Sequence, residues 1–364
     1  MFSHDINARI LHIPHSKERY MQVRIMQTAL ILAILGWTLT ATAKEAKTQT
    51  VTAANFARAE SDMYFSNFVR DGGFGKFSHT RELASIDHQT VIRLNRDTLY
   101  SFGVFDLEAS PVTVTLPDAG KRYMALQVIS EDHYAPEVFY APGKHIITKE
   151  QVGTRYVALA IRTFVDPNSA ADLKTVHELQ DAVKVEQKSV GTFVVPEWDA
   201  ASRDKMRKAL LSVVEAAGGI DSDRMFGSKE QVDPVQHLLG TAAGWGGNPR
   251  TAAMYTGAAP AQNDGKTAYA LTVKNVPVDG FWSVSVYNKS GFFEKNPQNA
   301  YTVNNVTAKP NADGSVTIHF GGGDTTAVNY LPIMPGWNYL FRMYRPQQAV
   351  LDNSWKVPTA QQAN

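Results

Sequence analysis

Asp279-Gly280-Phe281-Trp282-Ser283-Val284-Ser285-Val286-Tyr287-Asn288 is the stretch whose reading decides the fold. Apolar and serine residues alternate with a period of two, and successive side chains of a strand point to opposite faces. Trp282, Val284 and Val286 share one face, while Ser283 and Ser285 share the other. The pattern predicts a strand with one buried and one wetter face. Residues 315–320 repeat it, with Val316, Ile318 and Phe320 opposite Ser315, Thr317 and His319, after a hairpin-type Asp313-Gly314 turn. Residues 267–273 and 337–344 complete a C-terminal set of strands.

Working outward, residues 90–94, 99–107, 112–116, 123–129 and 156–164 read as an N-terminal set, short and rich in β-branched and aromatic residues. Residues 90–94 and 99–107 flank Asn95-Arg96-Asp97, a turn-prone trio that predicts a hairpin tip. Helical patterns surround this set. Residues 52–70 carry Phe56, Ala59 and Met63 at helical spacing, with Thr52 as the expected cap and Gly72-Gly73 as the stop. Residues 172–185 carry a stripe of Leu173, Val176, Leu179 and Val183. Residues 202–217 end at Gly218-Gly219, and Asp233-Pro234 opens a third helix that breaks at Gly244-Trp245-Gly246-Gly247. The expected fold class is mainly β: two antiparallel β-sandwich domains, residues 73–165 and 250–346, joined by a helical segment, residues 166–249. An N-terminal helix lies in 44–72 and a C-terminal tail in 347–364.

The first 43 residues stand apart. From Met21 the chain reads MQVRIMQTALILAILGWTLTATAKE, with Arg24 as a short positive region, an apolar run over 28–39 and a small-x-small site at Ala41-Thr42-Ala43. This predicts a signal peptide cleaved before Lys44, with Met21 as the start. The apolar run is shorter than the roughly 20 residues of a spanning helix. The expected location is therefore periplasmic or secreted, with no stable membrane span after cleavage.

Composition removes several chemistries. The chain has no cysteine, which excludes thiolate nucleophiles, iron–sulfur clusters and thiolate zinc sites. Its 36 basic and 35 acidic residues nearly balance, which argues against a nucleic-acid or anionic-membrane partner. There is no GxSxG elbow and no phosphate-binding glycine loop. No closely spaced histidine pair marks a metal site, so none is assigned; a site assembled from distant strands, such as His88 with His133 and an acid, would leave no local signature. The cofactor, if there is one, is not indicated.

Two blocks carry a family resemblance. Ile86-Asp87-His88-Gln89 and Asn95-Arg96-Asp97-Thr98-Leu99-Tyr100, with Glu131-Asp132-His133-Tyr134 behind them, resemble the domain of unknown function 1254. Gly244-Trp245-Gly246-Gly247-Asn248-Pro249, residues 279–288 and Trp337-Asn338-Tyr339-Leu340-Phe341-Arg342 resemble its usual companion, domain 1214. The resemblance implies an exported bacterial protein with two jelly-roll-like domains, and it implies no established activity or functional residue.

Three constellations could carry chemistry. Asp87, His88, Arg93, Asn95, Arg96, Asp97 and Tyr100 gather acid, base, cation and phenol; they suit a pocket gripping a carboxylate or hydroxylated ligand, with arginine as a bidentate donor. Asn and Asp in such a trio also satisfy their own turn. Glu131 and His133 follow a strand, where a general base could be held by its neighbours, although a solvated loop explains them as well. Trp282, Tyr287 and Asn288, with Trp245, Tyr301, Trp337, Tyr339, Tyr344, Asn299, Asn304 and Asn305, offer stacking and amides for a sugar or peptide, or simply a core. The leading expectation is a β-sandwich protein binding a small polar or carbohydrate-like ligand. The alternatives are a hydrolase using Asp97 or Glu131 with His88 or His133, and a structural protein, such as a homo-oligomer.

Overall fold

The computed structural model describes residues 48–89, 92–217 and 224–363. The expected signal peptide, Thr90-Val91 of the first expected strand and the Gly218-Gly219 stop lie outside the described residues. In chain order the elements are α1 (Phe56–Arg70), β1 (Ser78–His79), β2 (Thr98–Asp106), β3 (Val112–Leu116), β4 (Met124–Ser130), β5 (Val138–Tyr140), β6 (Gly143–Ile147), α2 (Lys149–Val152), β7 (Tyr156–Phe164), α3 (Ala170–Asp181), β8 (Lys184–Gln187), α4 (Ala200–Ala216) and α5 (Pro234–Gly244). There follow β9 (Ala253–Ala258), β10 (Tyr269–Val273), β11 (Trp282–Tyr287), β12 (Thr302–Asn304), β13 (Val316–Phe320), β14 (Tyr330–Leu331), β15 (Asn338–Tyr344), α6 (Gln348–Leu351) and β16 (Gln361–Gln362).

Among the described residues these strands form four sheets, ordered β1-β2-β7-β4-β5, β6-β3-β8, β12-β11-β15-β9 and β14-β13-β10-β16. The protein is mainly β, and every paired neighbour is antiparallel except β13 and β14. Alternation explains the cores. Leu126, Val128, Leu159 and Ile161 of the five-stranded sheet meet Val112, Val114, Leu116 and Ile147 of the three-stranded one. Trp282, Val284, Val286 and Phe341 meet Leu271, Val273, Ile318 and Phe320 in the same way. Each such fully buried side chain stabilises the fold by about 1.5–3 kcal/mol.

The other face of the five-stranded sheet is covered twice. Near one end α1 lays Phe65 and Phe68 over Phe102, Val104, Ala158 and Ala160. Nearer the other end Ala125 and Phe164 pack on Ala253, Phe281 and Tyr344. Phe56 and Ala59 of α1 in turn pack on Leu210 of α4 and Leu239 of α5.

Four local expectations are corrected. The described residues of the expected 90–94 strand, 92–94, form no strand: Ile92 and Arg93 form a turn, and β2 pairs with β1 and β7. The helix expected over 172–185 ends at Asp181, and residues 184–187 form β8, which pairs with β3. Val185 of β8 and Val183 just before it thus pack against the first core, where periodicity over so short a run does not separate helix from strand. Thr52 does not cap α1: Asn55 is the cap residue, and its side chain instead accepts from the Thr52 amide at 2.7 Å. Finally, the serine face of β11 is not wet. Ser283 and Ser285 are fully buried, because residues 93–97 and Arg342 lie over them. The Asp233 cap is as expected, its carboxylate accepting from the Val235 and Gln236 amides at 3.0 Å.

Candidate functional site

The Asn95-Arg96-Asp97 trio is a junction between the sheets. Asn95 Oδ1 accepts from the Asp97 amide at 2.8 Å, an Asx-type turn, while its Nδ2 donates to Thr98 Oγ1 at 3.0 Å and to the Tyr344 hydroxyl at 3.1 Å. Asp97 is fully buried, and its Oδ1 accepts from Thr302 Oγ1 at 3.1 Å and Asn304 Nδ2 at 3.3 Å. Burial pushes its pKa up; the Arg342 charge, then hydrogen bonds from Asn304 and Thr302, oppose the shift without reversing it. Arg342 donates to Ser285 Oγ at 2.9 Å, the Tyr287 hydroxyl at 2.6 Å and the Arg93 carbonyl at 2.8 Å. The Tyr287 hydroxyl donates to the Leu94 carbonyl at 2.8 Å. Residues 93–97 are thereby fastened to β11, β12 and β15.

Arg96 leaves this junction for a cleft of about 410 Å³, in the size range of small-molecule sites. Its guanidinium donates to the Ala84 carbonyl and lies 5.3 Å from the centre of the Tyr301 ring. Burial lowers its pKa, with Tyr301 and Asp97 opposing that shift; a guanidinium is charged in proteins whatever its surroundings. Lys309 brings a second cation, set in place by Asn329, whose Oδ1 accepts from the Lys309 amide and whose Nδ2 donates to the Lys309 carbonyl, both at 2.9 Å. Asn168, Gln298, Asn299 and Tyr330 also line the cleft. Among the described residues the side chains of these four and of Lys309 have no protein hydrogen-bond partner, and no carboxylate lines the cleft. The arrangement can pair a ligand anion with two cations and hydrogen-bond hydroxyls through amides.

The other expected residues are dispersed. Asp87 is exposed and pairs with Lys295 at 3.4 Å; His88 is exposed, and its amide donates to Ser85 Oγ at 3.1 Å. Glu131 is buried and accepts from the Tyr156 amide at 2.9 Å, with burial raising its pKa. His133 is buried against Trp245 and His237, and burial holds its pKa well below the usual imidazole value, with the His237 charge adding to the effect. Its Nε2 accepts from the Gly246 amide at 2.8 Å, so its Nδ1 is the protonated nitrogen facing Thr241 Oγ1 at 2.8 Å; that hydroxyl donates onward to the His237 carbonyl. The imidazole has no free lone pair for a substrate proton. Trp282 packs in the second core beside Phe341, Tyr287 belongs to the junction, and Asn288 Oδ1 accepts from the Ser290 and Phe292 amides. The structure therefore does not bring His88, Asp97 and His133 into one pocket. Arg96 alone of the expected site residues lines the cleft, and Tyr100, with Arg93 and Asn95, lies elsewhere. Lys309, Asn168, Gln298 and Tyr330 were not legible as site residues, since each sits in a polar loop or short strand with no motif. Tyr301 and Asn299 were visible only as members of a broader aromatic and amide set.

The matches to known proteins agree with this chain order. The family model described as protein of unknown function DUF1254 matches residues 74–187, and that described as protein of unknown function DUF1214 matches residues 250–348. No curated protein matches the chain. The solved structure of the VPA0106 protein from Vibrio parahaemolyticus is similar, with a TM-score of 0.64 and 18% identity, over 86% of this chain and 98% of that one. An uncharacterized protein from Burkholderia cenocepacia aligns with a TM-score of 0.47 and 15% identity, over 81% of this chain and 84% of that one. At these identities the Vibrio likeness concerns the fold alone. With both matches in N-to-C order, the chain belongs to the proteins that pair a DUF1254 domain with a DUF1214 domain.

Proposed function

We propose that this protein binds a small, polyhydroxylated anion, a sugar acid, in the cleft between Arg96 and Lys309. One observation carries the reading: the cleft holds two cations, a set of unpartnered amides and, among the described residues, no carboxylate. A carboxylate on the ligand answers the cations, and ring hydroxyls answer Asn168, Gln298 and Asn299. The site belongs to an exported protein, working in the periplasm or outside the cell, in which two jelly-roll-like sandwiches are joined by helices. The hydrolase reading lacks a comparable support, because no histidine or acid faces this cleft among the described residues.

Calorimetric titration tests the proposal with D-glucuronate and D-glucose as probes. Glucuronate is expected to bind saturably and more tightly than glucose, and Lys309→Glu is expected to abolish that preference. Equal affinity for both sugars in the native protein, or a preference that survives Lys309→Glu, would contradict it.

A further inference from the structure

The edge strands of the sheets are not alike. β1, β14 and β16 have two residues each, and β5 and β12 three. β6 carries Lys144, and β8 carries Lys184 and Glu186. Short or charged edges deny a foreign strand a template for pairing. β9 has neither protection. Its six residues pair with β15 in an unbroken register, without a bulge, and no strand pairs with its other side among the described residues. From Thr251 to Asn263 no residue is charged.

The free edge of β9 is a row of alternating donors and acceptors. The Arg345 amide donates to the Ala252 carbonyl at 2.9 Å, which fixes the phase of the ladder. Met254, Thr256 and Ala258 exchange bonds with β15, and Tyr255 and Gly257 turn their N–H and C=O groups the other way. The Ala253 amide, at the start of the edge, donates to the Pro249 carbonyl at 3.0 Å, but no strand or loop among the described residues takes the main-chain groups of Tyr255 and Gly257. Thr256 and Gly257 are exposed. Gly257 is not in the left-handed region, and a Cβ there would meet Leu340 Cδ1 at 3.7 Å and the Tyr339 carbonyl oxygen at 4.0 Å, both ordinary contacts. Nothing within the chain calls for glycine at this position. Glycine inside a strand also marks a place where another backbone approaches closely.

We propose that β9 is a dimer interface, at which a second copy of this chain adds its own β9 antiparallel to the first. A two-fold axis at Thr256 sets Tyr255 of each copy opposite Gly257 of the other. Each such pair exchanges both of its N–H···O=C bonds, and the two β12-β11-β15-β9 sheets become one continuous sheet. The two Thr256 side chains then face each other across the axis, a favourable cross-strand pair. The uncharged stretch 251–263 brings no like charges together there, so the edge is complementary to itself. A charged peptide would find no countercharge on that stretch, which favours a second copy as the occupant.

Sedimentation equilibrium of the full chain is expected to show a reversible dimer. Gly257→Pro removes an N–H that the chain itself does not use, at an edge position where proline is tolerated. Thr256→Lys sets two ammonium groups face to face across the axis. Each variant is expected to weaken the dimer about 10-fold or more, with an unchanged circular dichroism spectrum. The chain has no cysteine, so one introduced thiol reports on its own neighbours. Thr256→Cys is expected to give a disulfide-linked dimer under mild oxidation, and Ser212→Cys, at an exposed position of α4, is not. A native protein that stays monomeric at its highest soluble concentration would overturn the proposal. So would a dimer that survives both Gly257→Pro and Thr256→Lys, or cross-linking of Ser212→Cys as fast as that of Thr256→Cys.

Discussion

Beneath β11, Asp97, Ser283, Ser285 and Arg342 meet in a closed polar interior, whereas Arg96, one residue before Asp97, turns into an open cleft beside Lys309. Both regions collect the residue types expected of a binding site. They differ in how their hydrogen bonds are used. In the interior, Arg342 spends its donors on a serine, a tyrosine and a backbone carbonyl, and Asp97 accepts from Thr302 and Asn304. In the cleft, the Lys309 ammonium and several amides face no protein partner among the described residues. The fold consumes most of the interior's polar atoms, the enclosed Asp97 Oδ2 and Ser283 Oγ excepted, whereas the unmatched groups of the cleft are available to a ligand.

The comparison breaks most easily at Arg342. Arg342→Met removes its hydrogen bonds to Ser285, Tyr287 and the Arg93 and Leu94 carbonyls and takes from Asp97 the charge that most opposes its burial, so a loss of about 3–5 kcal/mol is expected in urea unfolding. A loss below about 1 kcal/mol would show that the interior is not the joint described here.

A third buried carboxylate sharpens the contrast. Asp62 is 1% exposed, accepts from Trp198 Nε1 at 2.8 Å, and is pushed up to about 7, chiefly by burial. Its folded pKa exceeds the unfolded value, so its contribution is fully present below about pH 4 and is lost as pH rises through about 7. Unfolding free energy measured from pH 4 to 8 should carry a decline of about 2–4 kcal/mol from this group. Asp62→Asn, which keeps an acceptor for Trp198, should flatten that part of the profile; an unchanged slope would assign the decline to other groups.

Asp97→Asn keeps one acceptor oxygen for Thr302 but places an amide where a carboxylate faced Arg342. A loss of about 1–3 kcal/mol is expected in the same unfolding measurement, with glucuronate affinity retained. Lys309→Glu should show the smallest effect on stability, within about 0.5 kcal/mol, while weakening glucuronate about 10-fold in calorimetry.

What was legible in the sequence follows the same division. Alternation over residues 282–287 located β11 and its apolar face, because a period of two has a single structural meaning when one side is Trp, Val and Val. The serine side was misjudged as wet. Its cover comes from residues 93–97, far away in the chain, and no local pattern records a long-range contact. The expected hairpin at 95–97 failed for a related reason: Asn95 does form its turn, but the preceding residues are held by Gly291 and Arg342 in place of a strand partner. Arg96, which lines the cleft, was legible as a candidate by residue type. Lys309 and Tyr330 were not, since only β12, β14 and their loops folded together place them around one space.

The central claim, that the interior joins the sheets and the cleft binds, rests on two neighbouring surroundings behaving differently. The most direct measurement is a paired one: unfolding free energy and glucuronate affinity determined together for Asp97→Asn and Lys309→Glu. The predicted result is a crossover, with Asp97→Asn losing stability and keeping affinity, and Lys309→Glu losing affinity and keeping stability. The contradicting result is Asp97→Asn that unfolds like the native protein yet no longer binds, which would return the site to the buried interior.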